Sequence, residues 1–340
     1  MTHAADPRVS IVTRTSNRAD LLRRAAGSVR RQTLATVEWI IVDDSEDPSA
    51  TAEIVAGLPA AFADRVTLVT RIGETHGRWS AANAGVRAAR GEYITLHDDD
   101  DFWAPSFLET VVSYLDHTTE AAAACTRTNI VIERPGADGQ LVKTDEYAFL
   151  PELSGISLMD MLRANRIPPI SLVYRRSLHD EVGLYDERLP VMGDWDFYLR
   201  VILAHRIDLL EGPPLAFWSH RPEAQGDARN SISAGLVRAA TDERIRENHI
   251  RPALHDGARS NAVHLAHEMH WLDGRATRRT DELREAIGAL TTRVQDQTRQ
   301  IEELRLELHA LDDHLRKATG PLTALSRALR RIRPGRSRQG

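Results

Sequence analysis

Four consecutive aspartates, Asp98-Asp99-Asp100-Asp101, are the strongest chemical feature of this 340-residue chain. Adjacent carboxylates repel one another, so a fold that keeps them together needs something to hold them. A divalent cation does this. Oxygen ligands suit Mg²⁺ or Mn²⁺, which commonly join one or two carboxylates to the phosphates of a substrate. The bland reading is a solvated acidic loop. Position favours the cation, because the run follows the apolar stretch Tyr93–Leu96 and precedes Phe102-Trp103-Ala104-Pro105. Asp43-Asp44 ends a second apolar run. A carboxylate there can accept from a base N–H or a ribose hydroxyl, or simply cap a strand–helix turn. Gly193-Asp194-Trp195-Asp196 stands before the apolar stripe Phe197, Leu199 and Val201, where Asp194 or Asp196 can serve as a helix N-cap.

These residues need a scaffold. Val9–Val12, Val37–Val42, Val66–Val69 and Tyr93–Leu96 read as strands. Asp20–Arg31, Ala50–Gly57 and Trp79–Arg90 read as helices between them. Such alternation predicts a largely parallel sheet covered on both faces, with ligands outside the carboxyl ends of the strands. That edge is where Thr13–Asn17, Asp43-Asp44 and Asp98–Asp101 fall. Further on, Ala121–Glu133 reads as extended, Pro135–Gly139 as a turn and Leu141-Val142 as a hairpin return. Ser157–Arg163 predicts a helix, Ile170–Tyr174 a strand and Asp194–His205 an amphipathic helix. Leu209–Trp218 is an apolar run broken by Pro-Pro.

Beyond about residue 226 the strand-like runs stop. Leu283, Ile287, Leu290, Val294, Gln297, Ile301, Leu304, Leu308, Leu311 and Leu315 recur at alternating steps of four and three. This heptad seam predicts a self-associating coiled coil, with a single docked amphipathic helix as the alternative. From Arg316 to Gly340 there are eight Lys/Arg and no acidic residue. The tail predicts either peripheral attachment to an anionic leaflet or a solvated terminus.

Composition narrows the classes. Forty-four basic and 49 acidic residues give a net charge of −5, which disfavours a wholesale nucleic-acid binder. One cysteine, Cys125, excludes a disulfide framework and a cysteine-based zinc cluster. No apolar run reaches the roughly 20 residues of a spanning helix. The first residues lack a secretory pattern, so a cytoplasmic location is expected. Neither G-x-x-x-x-G-K-[ST] nor G-x-G-x-x-G occurs. The segment after the first strand, Thr13–Arg18, has no glycine, unlike the phosphate loop of a sugar-nucleotide-forming nucleotidyltransferase.

Taken in order, several segments resemble family 2 glycosyltransferases. They are Val9–Arg18 with Ser28–Thr33, Trp39–Asp47, Ala82–Gly85, Ala89–Ile94, the aspartate run with Phe102-Trp103, and Gly193–Arg200. The resemblance covers about residues 8–220. It implies a GT-A fold, with a nucleotide-binding half (1–103) and an acceptor half (104–225). A helical extension (226–279), a coiled coil (280–316) and a basic tail (317–340) would follow. It also implies inverting transfer from a nucleotide-diphosphate sugar to a glycan or lipid-linked acceptor. By position, Thr15 and Asn17 would lie near the nucleotide, and Asp44 or Asp43 would touch the base or ribose. Asp98 and Asp100 match the D-x-D motif, Asp100 binding the metal and Asp98 the ribose or a metal-bound water. Asp194 matches the catalytic base, with Asp196 nearby, and His220 matches weakly a residue beside the diphosphate.

Three departures stand out. Arg14 replaces a proline, Ala82 a common arginine, and Gly193 an acidic residue. The competing class is a non-catalytic scaffold that retains a degenerate transferase domain for its coiled coil; the intact aspartates argue against it.

Overall fold

The computed structural model of the protein describes residues 6–72, 77–136, 140–222, 235–255, 279–311, 314, 315 and 317. The chain divides into two compact units, 1–262 and 263–340. The first unit begins with β1 (Val9–Thr15), α1 (Ala19–Arg30), β2 (Val37–Asp43), α2 (Ser49–Ala56), α3 (Ala60–Ala63) and β3 (Val66–Thr70). It continues with α4 (Arg78–Ala88), β4 (Tyr93–Leu96), β5 (Phe102–Trp103), α5 (Phe107–His117), β6 (Ala121–Thr126), β7 (Thr128–Pro135) and β8 (Leu141–Ala148). It ends with α6 (Leu158–Arg163), β9 (Leu172–Arg175), α7 (Leu178–Val182), α8 (Gly193–Ala204), β10 (Arg206–Leu210), β11 (Ala216–His220) and α9 (Gly235–His255).

Seven strands form the main sheet in the order β10-β6-β9-β4-β1-β2-β3. All run parallel except β9, which is antiparallel to both β4 and β6. Every residue of β1, β2 and β4 is buried, as expected of strands covered on both faces. Successive side chains alternate between two cores. Val12, Ile40 and Val42 pack with Trp79, Ala82 and Val86 of α4 and with Trp195 and Phe197 of α8. Ile11, Trp39 and Ile41 pack with Leu22, Ala25 and Val29 of α1 and with Phe107, Val111 and Leu115 of α5. Helix α4 lies so close that a Cβ on Gly85 would meet Val12 Cγ1 at 2.3 Å. That contact gives the glycine of Ala82-Asn83-Ala84-Gly85 its reason.

A second sheet, β5-β11-β7-β8, stands beside the first. The expected hairpin is β7–β8. The extended run 121–133 divides at Arg127, so β6 joins the main sheet and β7 the second. The expected strand at Ile170 starts two residues later, because Pro169–Ser171 forms a 3₁₀ turn whose proline fixes its own φ. The first unit also continues past residue 225. Helix α9 turns inward Thr241, 4% exposed, and Ile245, fully buried, while Arg246 donates to the carbonyls of Leu162 and Arg163. Among the described residues, no helix is long and apolar enough to cross a membrane.

In the second unit, residues 279–311 are helical throughout. The apolar seam residues from Leu283 to Leu311 lie open to solvent along it. The basic tail, apart from Lys317, lies outside the described residues.

Candidate active site

Because β4, β1 and β2 are adjacent and parallel, their carboxyl ends share one edge of the sheet. Thr15 pairs with Asp43 across β1–β2, and Val12 with Leu96 across β1–β4. A cleft of about 160 Å³ opens at this edge. Its walls include Thr15, Asp44, Asp98, Asp99, Asp100, Arg14 and Arg18, with Arg78 from α4 and Trp218 from β11. Four of the predicted nucleotide and metal residues, Thr15, Asp44, Asp98 and Asp100, therefore come together. Asn17 sits just behind them in the left-handed region, φ 56°, which asparagine tolerates. Its N–H donates to Ser45 Oγ at 2.8 Å and ties the first loop to the end of β2.

Asp43 and Asp44 separate by alternation. Asp43 is fully buried and accepts from the Ser45 N–H at 2.8 Å. Asp44 turns to the cleft and accepts from Arg71 at 2.6 Å and from the Gly77 N–H at 2.8 Å. Asp101 also turns away, accepting from the Ser219 N–H at 2.8 Å. That bond fastens the aspartate run to β11 and brings the second sheet against the cleft. His220 follows on β11, its ring edge-on to Trp218 at 4.5 Å. Burial pushes its pKa down, and it does not line the cleft.

Arginines hold the aspartate run. Arg14 donates to Asp98 through Nε at 3.0 Å and also through Nη2. Arg18 reaches Asp100 at 2.6 Å and Asp99 at 3.3 Å, and Arg221 bonds Asp100 as well. Burial alone would push Asp100 up, but these two guanidinium groups hold it below the ordinary carboxylate range. Repulsion within the run is thus answered by the protein itself. Asp99, with fewer partners, is pushed up by burial.

Asp194 lies in the first turn of α8, 7% exposed, where the helix dipole favours an anion. It is not the N-cap residue, which is Met192, but its carboxylate accepts from the backbone N–H of Trp195 in that first turn. Its Oδ2 accepts from Asn165 at 2.8 Å. Burial raises its pKa, while Arg14 and Arg238 oppose the rise. Asp196 is differently employed. It accepts from Arg200 at 3.1 Å and faces His249 at 3.1 Å, pinning α8 to α9.

Two of the departures meet at one ring. Arg14 stacks on Trp79 at 4.9 Å, and a Cβ on Gly193 would stand 2.7 Å from Trp79 ring carbons. Any side chain at position 193 collides with that indole. Gly193→Ala is therefore expected to cost about 1–3 kcal/mol by overpacking, read as a lower urea midpoint with unchanged slope. An unchanged midpoint would show that Trp79 yields freely.

The family model for glycosyl transferase family 2 matches residues 10–182, half of the chain. This chain belongs to glycosyl transferase family 2. Among curated members of family 2, it is 30% identical to the uncharacterized glycosyltransferase YwdF of Bacillus subtilis, over 71% of this chain and 84% of YwdF. It is 34% identical to the succinoglycan biosynthesis protein ExoO of Rhizobium meliloti, over 56% of this chain and about half, 54%, of ExoO. Among solved structures, residues 1–349 of S. aureus TarS in complex with UDP-GlcNAc superpose with a TM-score of 0.52. There the identity is 18%, over 72% of this chain and 66% of that one. The shared fold is GT-A, a mostly parallel sheet with helices on both faces.

Against the family 2 pattern, sequence reasoning missed Arg18, Arg71, Arg78, Arg221 and Asn165. Arg14 near the end of β1 and Arg18 just before α1, four residues apart, carried a readable signal. Arg221 lies 121 residues from Asp100, and no local spacing foretells that pair.

Proposed function

We propose that this chain is an inverting glycosyltransferase, taking a sugar from a nucleotide-diphosphate donor to an acceptor hydroxyl. The single observation that carries this reading is that Asp98, on the cleft wall beside Asp100, and Asp194, outside that wall, both act on Arg14. Arg14 binds Asp98 directly and acts electrostatically on Asp194. Transfer with inversion needs a leaving-group side and a base side, and the two carboxylate sets come from different elements, the segment after β4 and the first turn of α8. Thr15, Asn17 and Asp44 would serve the nucleoside, Asp43 being fully buried behind the cleft. Asp194 would take the acceptor proton. Glycan or lipid-linked acceptors of bacterial surface polysaccharide, cell-wall or glycolipid synthesis suit the reading; the names of ExoO and of the TarS complex support it by likeness.

Asp98 and Asp100 face the cleft, and two carboxylates completed by substrate phosphates suit Mg²⁺ or Mn²⁺. When bound, such an ion neutralises charge on the departing diphosphate. Arg14, Arg18 and Arg221 orient these carboxylates, and Asp194 is itself largely buried. Nucleotide-sugar turnover, measured over a donor panel with and without added acceptors, tests the reading. No turnover with any donor under either condition would return the chain to the scaffold class.

The partner reading is a parallel homodimer through the coiled coil. In heptad register Ile287, Val294, Ile301, Leu308 and Leu315 take a positions and Leu283, Leu290, Leu304 and Leu311 take d; the β-branched a residues of the first half with leucine at d favour two parallel strands. Gln297, at d, would fix the register. Sedimentation should give a dimer for the full chain and a monomer for a chain truncated after Arg275. Equal monomer masses would remove the coil. Peripheral membrane contact through 317–340 stays part of this proposal, to be read by salt-sensitive binding to anionic vesicles.

A further inference from the structure

Asp194 has two neighbours that hold it, and both lead to one arginine on α9. Asn165 donates from Nδ2 to Asp194 Oδ2 at 2.8 Å, and its own Oδ1 accepts from the Ile167 N–H at 3.0 Å, which fixes the way the amide faces. Asn165 stands just past α6, directly after the C-cap residue Ala164. On the other side Trp195 follows Asp194 in the first turn of α8, with its ring 1% exposed.

The last turn of any helix leaves carbonyls without partners inside the helix. In α6 these are answered from outside. Trp195 Nε1 donates to the Met161 carbonyl at 2.7 Å. Arg246 takes the next two, Nη1 donating to the Leu162 carbonyl and Nη2 to the Arg163 carbonyl, the latter at 2.7 Å. The same guanidinium lies over the Trp195 ring, 5.1 Å from its centroid, a favourable place for a cation. Asp242, one turn back on α9, accepts from Arg246 Nε at 3.0 Å and holds the fork in place. Ile245, fully buried, and His249, 3.1 Å from Asp196, fasten α9 on either side. Arg246 thus grips both the end of α6 that leads to Asn165 and the ring next to Asp194, and it does not line the cleft.

We propose that Arg246 is a positioning residue for the base: it fixes α6 against α8 so that the Asn165 amide stays on Asp194 and the carboxylate keeps one orientation toward the acceptor hydroxyl. The inference rests on the reading of Asp194 as that base. Arg246 lies beyond the 10–182 family match, so the base depends on a helix that the match does not reach. Other groups also act on Asp194. Arg14 of β1, Arg78 of α4 and Arg238 of α9 face it as charges, and Tyr185 and Tyr198 lie in its field. Substituting Arg246 leaves all of these in the chain. An amide donor favours the ionised carboxylate, so loosening Asn165 carries the acid limb of kcat to higher pH.

The test is turnover of the full chain against pH, with the donor and acceptor found in the panel, alongside calorimetric titration with UDP or GDP. Arg246→Gln should lower kcat on the order of 10–10²-fold, as a small misplacement does, move the acid limb up and leave nucleotide affinity unchanged. Lysine keeps the charge but not the fork that spans two carbonyls, so Arg246→Lys should fall between. In an Asn165→Ala background, Arg246→Gln should move the limb less than in the unsubstituted chain, because residues acting through one contact are not additive. With Asp194→Asn inactive, a limb that stays in place in both Arg246 variants overturns the inference alone; a lower urea midpoint without that shift makes Arg246 merely structural. Equal shifts in the two backgrounds also overturn it, and trace the effect to Arg238 on the same helix. Full activity in Asp194→Asn removes the base reading and the inference with it.

Discussion

Asp100→Asn is expected to abolish Mn²⁺-dependent nucleotide binding and to slow turnover on the order of 10²–10³-fold, the range for removing one preorganised charge-stabilising group. Sequence alone suggests that losing one of four adjacent carboxylates relieves repulsion and leaves stability untouched or improved. The arginines reverse that expectation. Asp100 is 8% exposed and answers both Arg18 and Arg221. Breaking a buried pair by removing one partner typically costs about 3–5 kcal/mol. Asparagine keeps an acceptor, and Asp99 and Glu133 stay beside the arginines, so the loss should fall below that range. The variant should fold, unfold at lower urea, and bind nucleotide without metal linkage. Calorimetric titration with UDP in the presence of Mn²⁺ or of chelator separates the effects. Metal dependence unchanged in this variant would move the cation site elsewhere.

How much of this site was legible follows from where each residue's information lies. Asp98 and Asp100 could be placed because a buried strand, β4, ends just before them, and strand ends are readable from apolar runs. The choice between Asp43 and Asp44 could not be made. Adjacent residues at a strand terminus point to opposite faces, and a one-residue uncertainty in the strand end exchanges them. Helix α5 went unassigned although Phe107, Val111 and Leu115 recur at helical spacing and are all buried. The role of Asp196 depended on His249, which reaches it from a helix 53 residues away. Local pattern carries elements and their ends; pairings such as Arg221–Asp100 arise only from topology, here from the Asp101–Ser219 bond that draws β11 to the aspartate run.

The Asp194 and Asp196 variants should separate base from brace. Asp194→Asn preserves size and its contact with Asn165 but cannot accept a proton, so turnover should fall on the order of 10²–10⁴-fold with donor affinity nearly unchanged. Asp196→Asn should lower thermal stability through its weakened links to Arg200 and His249 while retaining most activity. The pH profile adds a second reading. Burial raises Asp194 above its model-peptide value of about 3.9. A base must be ionised to act, so the acid limb of kcat should lie above the ordinary carboxylate range, activity rising with pH through it. Arg14 opposes the rise in the Asp194 pKa, so Arg14→Gln should carry that limb to still higher pH. A limb that stays in place in Arg14→Gln would show that Arg14 does not tune the base. A dead Asp196→Asn beside an active Asp194→Asn would reassign the base to Asp196.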